Sequence, residues 1–104
     1  MRTLIFLFFV SFFWGGSQNK LSFKKANSLY NDGDYAAGIQ AYENIPNSGF
    51  HSAEVYYNLA NCYYKQNNIG YSIYYYEKAL LLNPKDKSIR NNLAFAQKMS
   101  VDTV

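Results

Sequence analysis

The chain has 104 residues, ten Lys or Arg against seven Asp or Glu, one His and one Cys. That length allows one small domain. The weak net charge of +3 leaves no nucleic-acid footprint, and a lone Cys with a lone His excludes an internal disulfide and any ordinary metal-ligand set.

In chain order, Met1-Arg2-Thr3, the strongly apolar run Leu4 to Trp14 and the set Gly15-Gly16-Ser17-Gln18 have the n, h and c regions of a secretory signal. The apolar run is too short to cross about 30 Å of hydrocarbon comfortably, and it lacks the polar face that an amphipathic first helix would carry. Residues 1–17 are therefore expected to be a signal peptide cut before Gln18, with an uncleaved anchor as the alternative. An exported chain on the periplasmic side of the inner membrane follows as the expected location. Membrane attachment would come only through this segment or through a part beyond Val104.

From Gln18 onward the apolar residues recur every three or four places and predict helices at 20–31, 35–45, 53–66, 69–82 and 86–99. Asn31-Asp32-Gly33-Asp34 and Asn67-Asn68 read as turns, with Asp34 and Asn68 placed to cap the helices that follow. Residues 46–52 read as a loop, and Pro84 ends the fourth helix by removing a backbone donor.

Residues 26–45 are a faint copy of residues 60–79 at a shift of 34. Ala26/Ala60, Asn27/Asn61, Tyr30/Tyr64, Ile39/Ile73, Tyr42/Tyr76 and Glu43/Glu77 are identical across it, and Asn58-Leu59-Ala60 returns as Asn92-Leu93-Ala94. A period of that length implies a stacked helix-pair repeat. Tyr56, Leu59, Ala60, Tyr63, Ser72, Tyr76, Ala79 and Pro84 fill the signature places of the tetratricopeptide family, which the second copy resembles closely. The first copy departs from the pattern, with Ser22 and Lys25 in apolar places, Ile45 for the late Ala and Phe50 for the closing Pro. The expected architecture is all-α, with repeat 1 at about 19–52, repeat 2 at about 53–86 and a capping helix at about 86–99, together one domain over 18–104. Tyr42, Tyr56, Tyr63 and Tyr76 are expected in the core, and Ile89, Leu93 and Ala96 on the inward face of the cap.

Catalysis finds no constellation in this chain. His51 falls in a loop away from any regularly placed acid or thiol, Asp32 and Asp34 read as turn and cap residues, and Cys62 reads as a small packing residue. No glycine-rich phosphate loop occurs. The expectation is a protein without enzymatic activity and without a cofactor.

What the resemblance implies is a concave groove lined by the first helix of each pair, here Phe23, Asn27, Tyr30, Tyr57, Asn58, Asn61, Tyr64 and Phe95. Tyrosine suits such a wall because it offers large contact area with few rotatable bonds and a polar tip. In relatives that grip a terminal carboxylate, Asn stands at the positions of Asn27 and Asn58. The cations of that clamp are replaced here by Phe23, Ser88 and Asn92, so a clamp is not expected.

The strings Phe23-Lys24-Lys25-Ala26-Asn27, Tyr30-Asn31-Asp32-Gly33-Asp34-Tyr35, Ser52 to Asn61 and Tyr75-Tyr76-Glu77-Lys78-Ala79-Leu80 further resemble the repeat domain of the BatE family of the Bacteroides aerotolerance operon. That resemblance spans about residues 22–97. It implies a periplasmic scaffold whose partners are proteins, among them membrane-anchored von Willebrand A-type products of the same operon. The second expectation is a self-associating unit joined through exposed aromatics such as Tyr71 and Tyr74. In this family membrane helices follow the repeats, so the sequence read to Val104 is expected to be a truncated or fragmentary member, or a domain stabilised by pairing with a partner or with itself.

Overall fold

The computed structural model describes residues 18–102, so the expected signal peptide lies outside the described residues. The described residues form five helices: α1 at 18–31, α2 Tyr35–Asn47, α3 Ala53–Lys65, α4 Ile69–Leu82 and α5 Lys87–Asp102. None of them is long and apolar enough to cross a membrane.

Several helix boundaries differ from the sequence reading by one to three residues, and two helices run past their expected C-terminal ends. Helix α2 runs through Pro46, which the reading had placed in a loop. Pro46 sits in the last turn, where its missing N–H forfeits only one bond, and Ser48 closes the helix by donating to Asn44 and Ile45 carbonyls. Helix α5 continues three residues past the expected end at 99, and Met99, just before that extension, is held by the Tyr64 hydroxyl, which donates to its Sδ at 3.1 Å.

The turns repeat with the same period as the helices. Gly33 and Asn67, 34 residues apart, both take positive φ, at 80° and 61°. Behind each, two backbone bonds close the helix: Gly33 to Tyr30 and Asp34 to Leu29, then Asn67 to Tyr64 and Asn68 to Tyr63. Asp34 caps α2 by accepting from the Ala37 amide at 3.3 Å. Asn68 holds the matching place before α4, but its side chain makes no cap bond, contrary to expectation; the backbone bonds alone close that turn. Ser52 and Asp86, another pair in register, accept from the amides of Val55 and Ile89 at 3.0 Å and start α3 and α5.

The core consists of one cluster written twice. Ala26, Ile39, Tyr42, Ile45, Val55, Leu59 and Cys62 pack between α1, α2 and α3. Ala60, Tyr76, Ala79, Ile89, Leu93 and Ala96, the same positions 34 residues on, pack with Tyr56 between α3, α4 and α5. Ile89, Leu93 and Ala96 are thus the buried face of α5. Of the four tyrosines expected in the core, Tyr42, Tyr56 and Tyr76 are buried, whereas Tyr63 is only half-buried. Its hydroxyl donates to the Glu43 carboxylate, which keeps the ring tip at the edge of α2.

Small residues set how closely the helices approach. Gly38 is buried in α2, and a Cβ there would stand 3.4 Å from Cys62 Sγ. Ser72 and Ala79 on α4 and Ala60 on α3 are fully buried. The Cys62 thiol is itself fully buried, and burial pushes it up to about 12. Cys62 is a packing residue in this environment, because a thiol needs its thiolate form to react.

Candidate interaction groove

Helices α1, α3 and α5 share one side of the stack, and a hollow of about 330 Å³ opens on it. Its wall is built by Tyr30 from α1, Tyr57, Asn61, Tyr64 and Lys65 from α3, Tyr76 from α4, and Asn92 and Phe95 from α5. Five of the eight groove residues named from the sequence meet here: Tyr30, Tyr57, Asn61, Tyr64 and Phe95. Phe95, on the rim of this wall, is 63% exposed.

The remaining three lie elsewhere. Phe23 packs edge-on against Tyr42 and lines a separate apolar hollow with Ile45, Phe50 and Val55. Asn58 borders a third hollow near Ser88 and Ile89. Asn27 is held inside the first repeat, where its Oδ1 accepts from the Tyr42 hydroxyl and from Asn58 Nδ2 at 3.2 Å.

That arrangement recurs one period on. Asn61 Oδ1 accepts from the Tyr76 hydroxyl and from Asn92 Nδ2 at 3.1 Å. Asn27, Tyr42 and Asn58 therefore form a polar bridge across α1, α2 and α3, and Asn61, Tyr76 and Asn92 form its copy across α3, α4 and α5. Each Asn oxygen collects two donors, so the buried phenol of Tyr42 or Tyr76 is satisfied where water is excluded. Burial, the largest cause, pushes both phenols well above the ordinary tyrosine value, which keeps them protonated donors. Asn92 also donates to the Tyr57 hydroxyl at 3.0 Å, which sets that ring against the groove.

Asn92, Tyr76 and Lys65 are wall residues that the sequence reading missed. For Asn92 and Tyr76 the signal was present: Asn58 and Asn92 stand one period apart, as do Tyr42 and Tyr76. Reading the three columns together, rather than each residue alone, marks them as one bonded set.

The opposite side carries a run of aromatic rings. Tyr75 stacks on Tyr63 at 5.6 Å between centroids and on Tyr56 at 6.0 Å, while Tyr71 stacks on Tyr63 at 5.2 Å. Lys78 lies over the rings of Tyr56 and Tyr74 at 5.2 and 5.1 Å. His51 stacks on Tyr56 and its Nδ1 is hydrogen-bonded to the Tyr56 hydroxyl. These contacts are made within the chain, and among the described residues no group of three or more His, Cys, Asp or Glu is placed to hold a metal ion.

Residues 53–86, from the start of α3 to the turn before α5, match the tetratricopeptide repeat family model. No curated protein matches the chain. The match supports the tetratricopeptide family, whose repeats are protein-interaction modules and generally not enzymes. With two helix pairs and a fifth helix laid in the same register, the chain has the all-α architecture of a tetratricopeptide-type repeat.

Proposed function

We propose that this chain is an exported interaction module that holds a segment of an envelope protein in the groove of α1, α3 and α5. The observation that carries the reading is the aromatic wall of exposed Phe95 and half-buried Tyr57 and Tyr30 around a hollow of about 330 Å³. Interaction sites are enriched in such rings because they contribute large contact area at low entropic cost. The signal-like run at residues 4–14 supports export. The BatE-like strings support a scaffolding role beside membrane-anchored von Willebrand A-type proteins.

Phe95→Ala with Tyr57→Ala tests the reading: Phe95 stands outside the buried clusters, and Tyr57 is a half-buried ring that packs on the second of them from the groove side. The full chain and the double variant are tagged and used to capture proteins from detergent-solubilised envelopes of the source cell. Retention of von Willebrand A-type proteins by the unmodified chain, lost in a variant that keeps its helical signal and melting temperature, is the expected result. Equal retention by both forms would remove the groove from the proposal.

A second reading is self-association through the other side. Tyr71 and Tyr74 are 57% and 49% exposed, and Leu81 and Leu82 beside them on α4 are 83% and 51% exposed, an apolar strip of the sort found at subunit contacts. It requires a mass that rises with concentration and falls when Tyr71 and Tyr74 become Ser. A single mass across a hundredfold dilution would dismiss it.

A further inference from the structure

Along the chain the charges look scattered, but the fold separates them. Helix α1 carries Lys20, Lys24 and Lys25 and no acid, α3 carries Glu54 in its first turn and ends on Lys65, and α5 carries Lys87, Arg90 and Lys98 against one acid, Asp102, at its end. Helices α2 and α4, on the other side, hold Glu43 and Glu77 with Lys78. Lys65 is the only charged residue in the wall of the groove. Lys98 is exposed and stands one period after Tyr64, in the column that places Tyr30 and Tyr64 on that wall.

The hydrogen bonds within the groove select in the same direction. The Asn61 oxygen is occupied by Tyr76 and Asn92, which leaves its Nδ2 as a donor. The Tyr57 oxygen accepts from Asn92, which leaves its O–H free to donate outward. Tyr30 is held protonated by burial first and by the neighbouring Cys62 next. Toward the hollow this leaves Asn61 Nδ2, the Tyr57 and Tyr30 hydroxyls and the Lys65 ammonium as donors, against Oδ1 of Asn92 and the oxygen of Tyr64, whose own proton goes to Met99, as acceptors. Donors backed by an ammonium group match a carboxylate, because hydrogen bonds to an ionised acceptor are stronger than neutral ones.

Resting on the groove reading above, we infer that the occupant is an acidic peptide segment, its carboxylates facing Lys65 and Lys98 and an apolar side chain covering Phe95. Complementary charge sets partner choice and encounter rate more than total affinity, so the signature is a preference between matched peptides.

The experiment uses the full chain in mild detergent and three fluorescein-labelled 12-residue probes in which Leu and Tyr alternate with Glu, Gln or Lys, read by anisotropy at low and physiological salt. The Glu probe is expected to bind about tenfold tighter than the Gln probe at low salt, with the gap shrinking as salt rises. Lys65→Glu with Lys98→Glu is expected to abolish that preference, and Lys85→Glu, a reversal of equal sign in the turn before α5, to leave it. Equal binding of the Glu and Gln probes would overturn the acidic occupant while leaving a groove that binds peptides. An equal loss in the Lys85 variant would also overturn it, by assigning the preference to net charge alone. Binding of the Glu probe that survives Phe95→Ala with Tyr57→Ala would remove the groove and the inference with it. No binding of any probe, or tighter binding of a 12-nucleotide oligo-dT than of the Glu probe, would overturn it as well.

Discussion

The two repeats solve the same packing problem with different side chains at one corner. Where the second helix of a pair ends and the next begins, repeat 2 places Ala79 and Pro84, and the hollow there measures about 250 Å³ with a mixed lining of Glu54, Asn83, Asp86 and Ser88. One period earlier repeat 1 places Ile45 and Phe50, and the equivalent hollow is larger, about 430 Å³, and lined by Phe23, Ile45, Phe50 and Val55. A small residue lets two helices close, and a proline fixes the exit of the chain. Ile45 is buried while Phe50 stays 46% exposed, so the corner of repeat 1 stays open and apolar. Departures from a repeat pattern are felt first at the joints between pairs, because that is where each unit must bury its neighbour's face.

Exchanging the joint residues gives the largest expected effects. Ile45→Ala imports the residue of repeat 2 into a corner already open, and is expected to cost about 2–5 kcal/mol through lost burial and the cavity left behind. Ala79→Ile, the reverse exchange, is expected to cost about 1–3 kcal/mol by overpacking a fully buried position. Urea unfolding followed by circular dichroism measures both, and a smaller cost for Ile45→Ala than for Ala79→Ile would mean that the first joint is not held by its side chains. The polar bridges sharpen the comparison at lower cost. Tyr42→Phe and Tyr76→Phe each remove one of two donors from an Asn oxygen and are expected to lose about 1 kcal/mol. Equal losses would show that the bridge is indifferent to the corner beside it.

Smaller still is Gly38→Ala in α2. The added methyl meets Cys62 Sγ at an ordinary contact distance of 3.4 Å and replaces a poor helix former, so a gain of about 0.5–1 kcal/mol is expected as a raised melting temperature. A lowered one would show that the two backbones are already at closest approach.

Alkaline pH acts on both repeats. The ordinary values are 9.0 for the Cys62 thiol and 10.0 for the Tyr42 and Tyr76 phenols, and burial raises all three in the folded chain. The unfolded chain releases these protons first, so their contribution is complete below about pH 9 and is lost as pH rises above it. Flat stability between pH 9 and 11 would contradict that.

Much of this fold is legible in the sequence because a repeat states each position twice. The 34-residue columns identify the helices, Gly33 and Asn67 mark the turns, and the buried face of α5 follows from Ile89, Leu93 and Ala96. What escaped the reading depends on details that periodicity averages away. Pro46 reads as a loop residue, yet one turn from a helix end it forfeits a single bond. Asn27 and Asn58 read as groove residues by resemblance to relatives that carry Asn there, whereas the Tyr42 hydroxyl and the Asn58 amide both converge on the Asn27 oxygen. The division of charge between odd and even helices is invisible along the chain, since neighbours in sequence alternate between the two sides.

The polar bridges carry a consequence for how the molecule comes apart. One bridge draws on Asn58 and the other on Asn61, neighbouring turns of α3, so this helix is the party common to both contracts. Fraying from either end can release α1 or α5 with the loss of one bridge only, whereas α3 is freed only when both have parted. Backbone amides of Leu59 to Cys62 should accordingly be the slowest in the chain to exchange with deuterium, opening only with the whole stack.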